Sequence, residues 1–172
     1  MPQQVVQATA LVGRLPSPAK LRAGAEQALK EEAEDARAAE YFQSLLELGY
    51  LVASADGLAA EERETLALLL EHATDSIVNR DALHLHFTDL DATSAALGRS
   101  ERLGRVAANL DTERAREEAL SFAALVAMAD GTLEPAELQV LIELGRHFAL
   151  SPEQVQTVVA RVADCVRQQL QG

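Results

Sequence analysis

Two stretches of the chain, SADGLAAEERETL at 54–66 and AMADGTLEPAEL at 127–138, repeat one arrangement: an apolar run, an Asp-Gly joint, then glutamates opening a second apolar run. Asp130 follows Asp56 by 74 positions, and the surroundings match on both sides. Leu51, Val52 and Ala53 precede the first joint as Leu125, Val126 and Ala127 precede the second. Beyond the joints, with one extra residue in the second copy, Glu62 matches Glu137, Leu66 matches Leu141, Leu69 matches Leu144 and His72 matches His147. Two helix-turn-helix units written from one pattern are expected to sit in a pseudo-twofold arrangement that brings the joints to related places.

The raw material of the rest of the chain agrees with helices. Hydrophobic residues make up 48% of 172, mostly Ala, Leu and Val, while aromatics are 3% and Gly and Pro are sparse. Ala and Leu are strong helix formers, and no segment alternates apolar and polar residues as a half-buried strand does. The expected fold is all-α, a compact bundle of about seven to eight helices built from the two duplicated units. Residues 1–40 read as an N-terminal tail, stopped by the prolines at 16 and 18, followed by a mostly solvated helix over 19–40 with Leu21, Ala25 and Leu29 as its thin apolar stripe. Residues 41–168 read as the helical domain. Its helices are expected from 41 to the first joint, from 60 to 72, over 76–86 and 88–97, over 100–110, from an N-cap at Asp111 to Met128, from Pro135 to 148, and from Pro152 onward, where Ser151 and Gln154 form a capping box. Val155, Val158, Val159 and Val162 are the expected buried stripe of the last.

The net charge of -12 argues against a nucleic-acid partner, since phosphate binding draws on clustered Lys and Arg. A cationic partner or a bound metal ion fits better. One cysteine, Cys165, suits a reducing compartment. No window reaches the ~18 apolar residues of a membrane span, and the start lacks the pattern of a secretory signal, so a cytoplasmic protein is expected, with room for peripheral attachment to a membrane.

The joints allow two readings. Asp-Gly is a common turn dipeptide, and Glu137, one turn into its helix, sits where an acid favours a helix N-terminus. Each Asp, however, reads as lying in the last turn of an apolar helix, where the helix dipole disfavours it by roughly 0.3–1 kcal/mol. The carboxylate then reaches forward to the next helix's amides, or coordinates a hard divalent cation, Ca2+ or Mg2+, with the glutamates that follow. Asp56 with Glu61 or Glu62, and Asp130 with Glu134 or Glu137, supply the oxygen ligands. The spacing is not that of an EF-hand.

The paired joints SADGLAAEE and MADGTLEPAE, together with the tail LSPEQV, closely resemble the TerB-like family of tellurite-resistance proteins over roughly 41–165. The resemblance implies an all-helical, internally duplicated domain of bacterial stress-response modules. It also implies a non-enzymatic role, metal binding through acids at the joints, and work in complexes with protein partners at the inner membrane face. Carried over by residue, it points to Asp56, Glu61 and Glu62 and to Asp130 and Glu137.

Other groups read more plainly. His84 and His86, two apart, fall on different helix faces and make a poor shared metal site. His72 and His147 suit helix C-termini. Arg99, Arg102 and Arg105, with Arg114 and Arg116, form a basic island that reads as a solvated face paired with Glu101, Glu113 and Glu117, or as a docking surface for an acidic partner or anionic headgroups. No histidine follows a Glu by three, and neither a phosphate-cradling glycine loop nor a G-x-S-x-G elbow occurs, so catalysis is not expected. The alternative to a cation-binding adaptor is a metal-free helical scaffold.

Overall fold

The computed structural model describes residues 18–30, 32, 34–55, 60–128 and 133–171. Among these the protein is all-helical, with eight helices and no strand. They are α1 Pro18–Leu29, α2 Ala36–Ala53, α3 Ala60–Ala73, α4 Arg80–Leu97, α5 Arg99–Asn109, α6 Glu113–Ala127, α7 Pro135–His147 and α8 Pro152–Gln171.

The centre is α6. Every residue from Glu118 to Met128 is buried, the signature of a helix surrounded on all sides. Three alanines in that run, Ala119, Ala123 and Ala124, are fully enclosed and let neighbouring helices approach closely. Against α6 lies α2, and the two run side by side in the same direction. Arg37 pairs with Asp111 at 3.2 Å near their starts, and Tyr41 donates to Glu118 further along. Near their ends, a Cβ at Gly49 would meet Phe122 Cε1 at 3.4 Å and Val126 Cγ2 at 3.7 Å. The helices that precede the two joints therefore finish as neighbours.

Local caps explain several boundaries. Ser151 and Gln154 bond reciprocally, Gln154 N–H to Ser151 Oγ at 3.2 Å and Ser151 N–H to Gln154 Oε1 at 2.8 Å, so α8 starts as its capping box predicts. Pro135 opens α7. Val155, Val159 and Val162 are buried as expected; Val158 is only partly so, and Val166 joins the stripe.

Elsewhere the structure departs from expectation. The segment over 19–40 is not one helix: α1 ends at Leu29, and Asp35 caps α2 by accepting from Ala38 N–H at 3.1 Å. The acidic run at 31–35 sets like charges three and four apart, which disfavours a continuous helix there. Nor is the stripe of α1 uniformly thin, since Leu21 and Ala25 lie in the main core while Leu29 is exposed. The two short helices expected over 76–97 are one, α4, capped by Asn79, whose Oδ1 accepts from Ala82 N–H at 2.9 Å. Thr88 starts no helix because its hydroxyl donates back to the His84 carbonyl at 3.1 Å. Ser76 belongs to the turn that closes α3, with φ of 64° and its N–H on the Glu71 carbonyl at 2.8 Å. Thr112, not Asp111, caps α6: its Oγ1 accepts from Ala115 N–H at 3.0 Å, while Asp111 is drawn away to Arg37.

The α7–α8 turn depends on a close approach. Leu150 N–H reaches the Gly145 carbonyl at 2.7 Å and Ala149 takes φ of 61°, which folds α8 tightly back. A Cβ at Gly145 would lie 2.3 Å from Val155 Cγ2. Gly145→Ala is expected to cost about 1–3 kcal/mol through overpacking. Urea unfolding of this variant, and of Gly145→Ala combined with Val155→Ala, should show the second change recovering part of the loss; additive losses would contradict the steric reading.

Candidate functional site

Each joint follows a helix that ends cleanly. Ser54 N–H bonds the Tyr50 carbonyl at 2.9 Å and Ala55 N–H the Val52 carbonyl at 3.2 Å, which closes α2. Met128 N–H bonds the Ala124 and Leu125 carbonyls, both at 3.1 Å, and closes α6 in the same way. The last helical residues are Ala53 and Ala127, so Asp56 and Asp130 come three positions after the helices and not in their last turns.

Asp56 and Asp130 themselves lie outside the described residues, as do Gly57 and Gly131. Glu61 and Glu62 have their backbone in the first turn of α3, and their side chains lie outside the described residues. Glu134 and Glu137 are described. Glu134 is the N-cap of α7 with extended backbone, and its N–H donates to Glu137 Oε1 at 3.1 Å. Glu137 thus holds the start of its own helix, the role an acid one turn into a helix is suited to. Among the described residues no group of three or more His, Cys, Asp or Glu side chains is placed to hold a metal ion.

Behind the first joint, the start of α3 is fixed by charge. Arg63 donates to Asp91 Oδ2 at 2.7 Å and Tyr50 donates its hydroxyl to Asp91 Oδ1, which ties α2, α3 and α4 together. Burial pushes the Asp91 carboxyl up, the bonds from Tyr50 and Arg63 pull it down, and the net shift is downward. Further along α3, His84 Nε2 meets Glu64 Oε2 at 2.8 Å and Arg80 meets Glu64 Oε1 at 3.0 Å, so Glu64 is held below the usual carboxylate range by His84 and then Arg80. His84 therefore binds a carboxylate, while His86, two positions on, is exposed. His147, in the last turn of α7, packs beside Gly104 of α5, where an added Cβ would come within 3.3 Å of its Cε1.

Glu118 is the group that reading along the sequence missed. Its residue is 6% exposed, and its carboxylate accepts from Lys20 Nζ at 2.7 Å, Arg114 Nε at 3.0 Å and the Tyr41 hydroxyl. Lys20 also lies 4.3 Å from the centre of the Tyr41 ring. Burial pushes the Glu118 carboxyl up, but the three donors outweigh it and leave it below the ordinary value. Tyr41 is pushed well above the usual phenol range, by burial first and the bond to Glu118 second, so it remains the donor. The available signal was Glu118 standing four positions before Phe122 and seven before Leu125, on one face of an apolar helix.

The basic island is solvated at Arg99, Arg105 and Arg114, but its carboxylate partners are mostly not the ones expected. Arg102 is largely buried and pairs with Glu47 of α2, and Arg99 lies 3.7 Å from Glu143 of α7. Arg105 pairs with Glu101 at 3.2 Å as expected, whereas Arg114 takes Glu118, and Glu117 is met by Arg161. No helix among the described residues is long and apolar enough to cross a membrane.

No curated protein and no solved structure gives a match to this chain. The family model described as tellurite resistance protein TerB matches residues 42–160, from the first turns of α2 into α8, and the chain belongs to the TerB family.

Proposed function

We propose that this TerB-family chain is a non-enzymatic stress-response module that binds a divalent cation, Ca2+ or Mg2+, through its acidic joints and docks protein partners in a complex at the inner face of the membrane. Asp56, Glu61 and Glu62 form one acidic set; Asp130, Glu134 and Glu137 form the other. The observation that carries the reading is the parallel run of α2 and α6, whose ends meet around Gly49, Phe122 and Val126. The two helices that precede the acidic segments end as neighbours, and hard cations take several oxygen ligands that one short joint supplies only in part. The working location is the cytoplasm, with peripheral attachment through the partner.

A cation bound only to the folded state raises stability by RT ln(1 + [ion]/Kd), about 2.7 kcal/mol at one hundred times Kd, or on the order of 5–10 °C in the melting midpoint of a chain this size. Thermal scans with Ca2+, Mg2+ and Mn2+ are expected to show such a rise with at least one ion. A midpoint that stays fixed with all three speaks for the second reading, a metal-free scaffold. That reading draws on Glu137, whose carboxylate caps α7 without any ion.

A further inference from the structure

A groove of about 720 Å³ opens between α6 and α8. One wall is Glu113, Arg116, Glu117 and Leu120 of α6. The other is Gln154, Thr157, Val158 and Arg161 of α8. Both sets run i, i+3, i+4, i+7, so each wall is one helix face about two turns, or ~10 Å, long. Phe148 and Leu150, from the tight turn held by Gly145, close the end, and Leu120 and Phe148 are buried beneath an opening where Val158 and Leu150 stay partly exposed. Two helix faces over an apolar floor form a groove of the kind that receives a third helix.

Charge selects the occupant. Glu117 is met across the groove by Arg161 at 3.7 Å, and Glu113 stands in the first turn of α6, where the helix N-terminus favours it. Arg116 lies over the Phe148 ring at 5.7 Å and gives its Nε to the Leu110 carbonyl at 2.7 Å. Among the described residues it makes no ion pair, and it lines the groove beside the apolar floor. A guanidinium stacked and held by Nε is pre-set to take a carboxylate.

We infer that this groove docks one amphipathic helix of a partner protein, with the partner's apolar i, i+3/i+4, i+7 stripe on Leu120, Phe148 and Val158 and an Asp or Glu of the partner on Arg116. The inference rests on the partner-docking part of the proposed function and not on its cation part. The test is selection of a displayed library of helix-forming peptides on the full-length chain. Enriched peptides should share an apolar stripe flanked by an acid, and their affinity should fall at least tenfold with Arg116→Glu and with Thr157→Arg. Thr157 is exposed, so its replacement narrows the groove while the fold, followed by circular dichroism, is retained. No enrichment, enrichment without an acidic position, or binding unchanged in both variants overturns the inference. Self-association of the chain that Thr157→Arg abolishes also overturns it, in favour of a second copy as the occupant. Repeating the binding with Asp56→Asn and Asp130→Asn together separates the two ideas: peptide affinity is expected to be unchanged.

Discussion

Replacing Phe122 by alanine is expected to remove about 3–5 kcal/mol of folding free energy, toward the upper end for an aromatic-to-alanine change. Phe122 is fully buried in the C-terminal half of α6. Its ring edge faces Gly49, which has no side chain to move into the space, and its helical neighbours Ala119, Ala123 and Ala124 have only methyl groups. A site that cannot collapse keeps its cavity, and the cavity term adds to the lost transfer energy. The same ring holds the ends of α2 and α6 together below the joints. Urea unfolding, with the m-value compared to confirm that the same surface is exposed, measures the loss. A loss under about 1 kcal/mol would mean that α2 and α6 do not meet there.

The second large effect is expected at Glu118. Glu118→Ala strands the Tyr41 hydroxyl and breaks the Lys20 tie between α1 and α6, at a cost of about 3 kcal/mol. The figure is at the low end for a broken buried pair because Lys20 and Arg114 remain partly or largely open to water. The pH dependence has a definite sign. The folded Glu118 carboxyl is lowered relative to its ordinary value of 4.5, so its contribution is complete above that value and is lost as pH falls through the folded value. The stability difference between wild type and Glu118→Gln should therefore be largest near neutrality and shrink as pH falls below 4.5. A difference that grows on acidification would contradict the charged network.

Both residues show what could be read from the sequence and what could not. Signals confined to one turn were legible: the Ser151–Gln154 box, Pro135 at the head of α7, and the valine stripe of α8 all lie where local chemistry puts them. Where two local signals compete, a distant partner decides. Asp111 and Thr112 are equally good caps on paper, and Arg37, 74 positions away, removes Asp111 from the contest. Thr88 looked like a helix start because a hydroxyl that caps and one that bonds back to the preceding turn are the same residue in a sequence. Glu118 draws its partners from 98 and 77 positions upstream, and Arg102 finds Glu47 on α2, so neither environment follows from periodicity.

At the joints the sequence showed the acids and their order. It placed Asp56 and Asp130 inside helices that in fact end at Ala53 and Ala127, because apolar runs do not mark where the last backbone bonds close. Glu137 was legible as a helix-start acid, and it is one. The groove between α6 and α8 was not legible, since its walls come from segments some 40 positions apart and its charge balance depends on which arginine meets which glutamate.

The central claim is that the two joints hold a cation, and calorimetric titration of the full-length chain with Ca2+ and Mg2+ tests it most directly, with wild type beside the Asp56→Asn, Asp130→Asn double variant. Saturable binding by wild type that weakens at least tenfold in the double variant, with the unfolding free energy of the ion-free proteins within about 1 kcal/mol of each other, is the expected result. Absence of binding by wild type, or equal binding by both proteins, would contradict it.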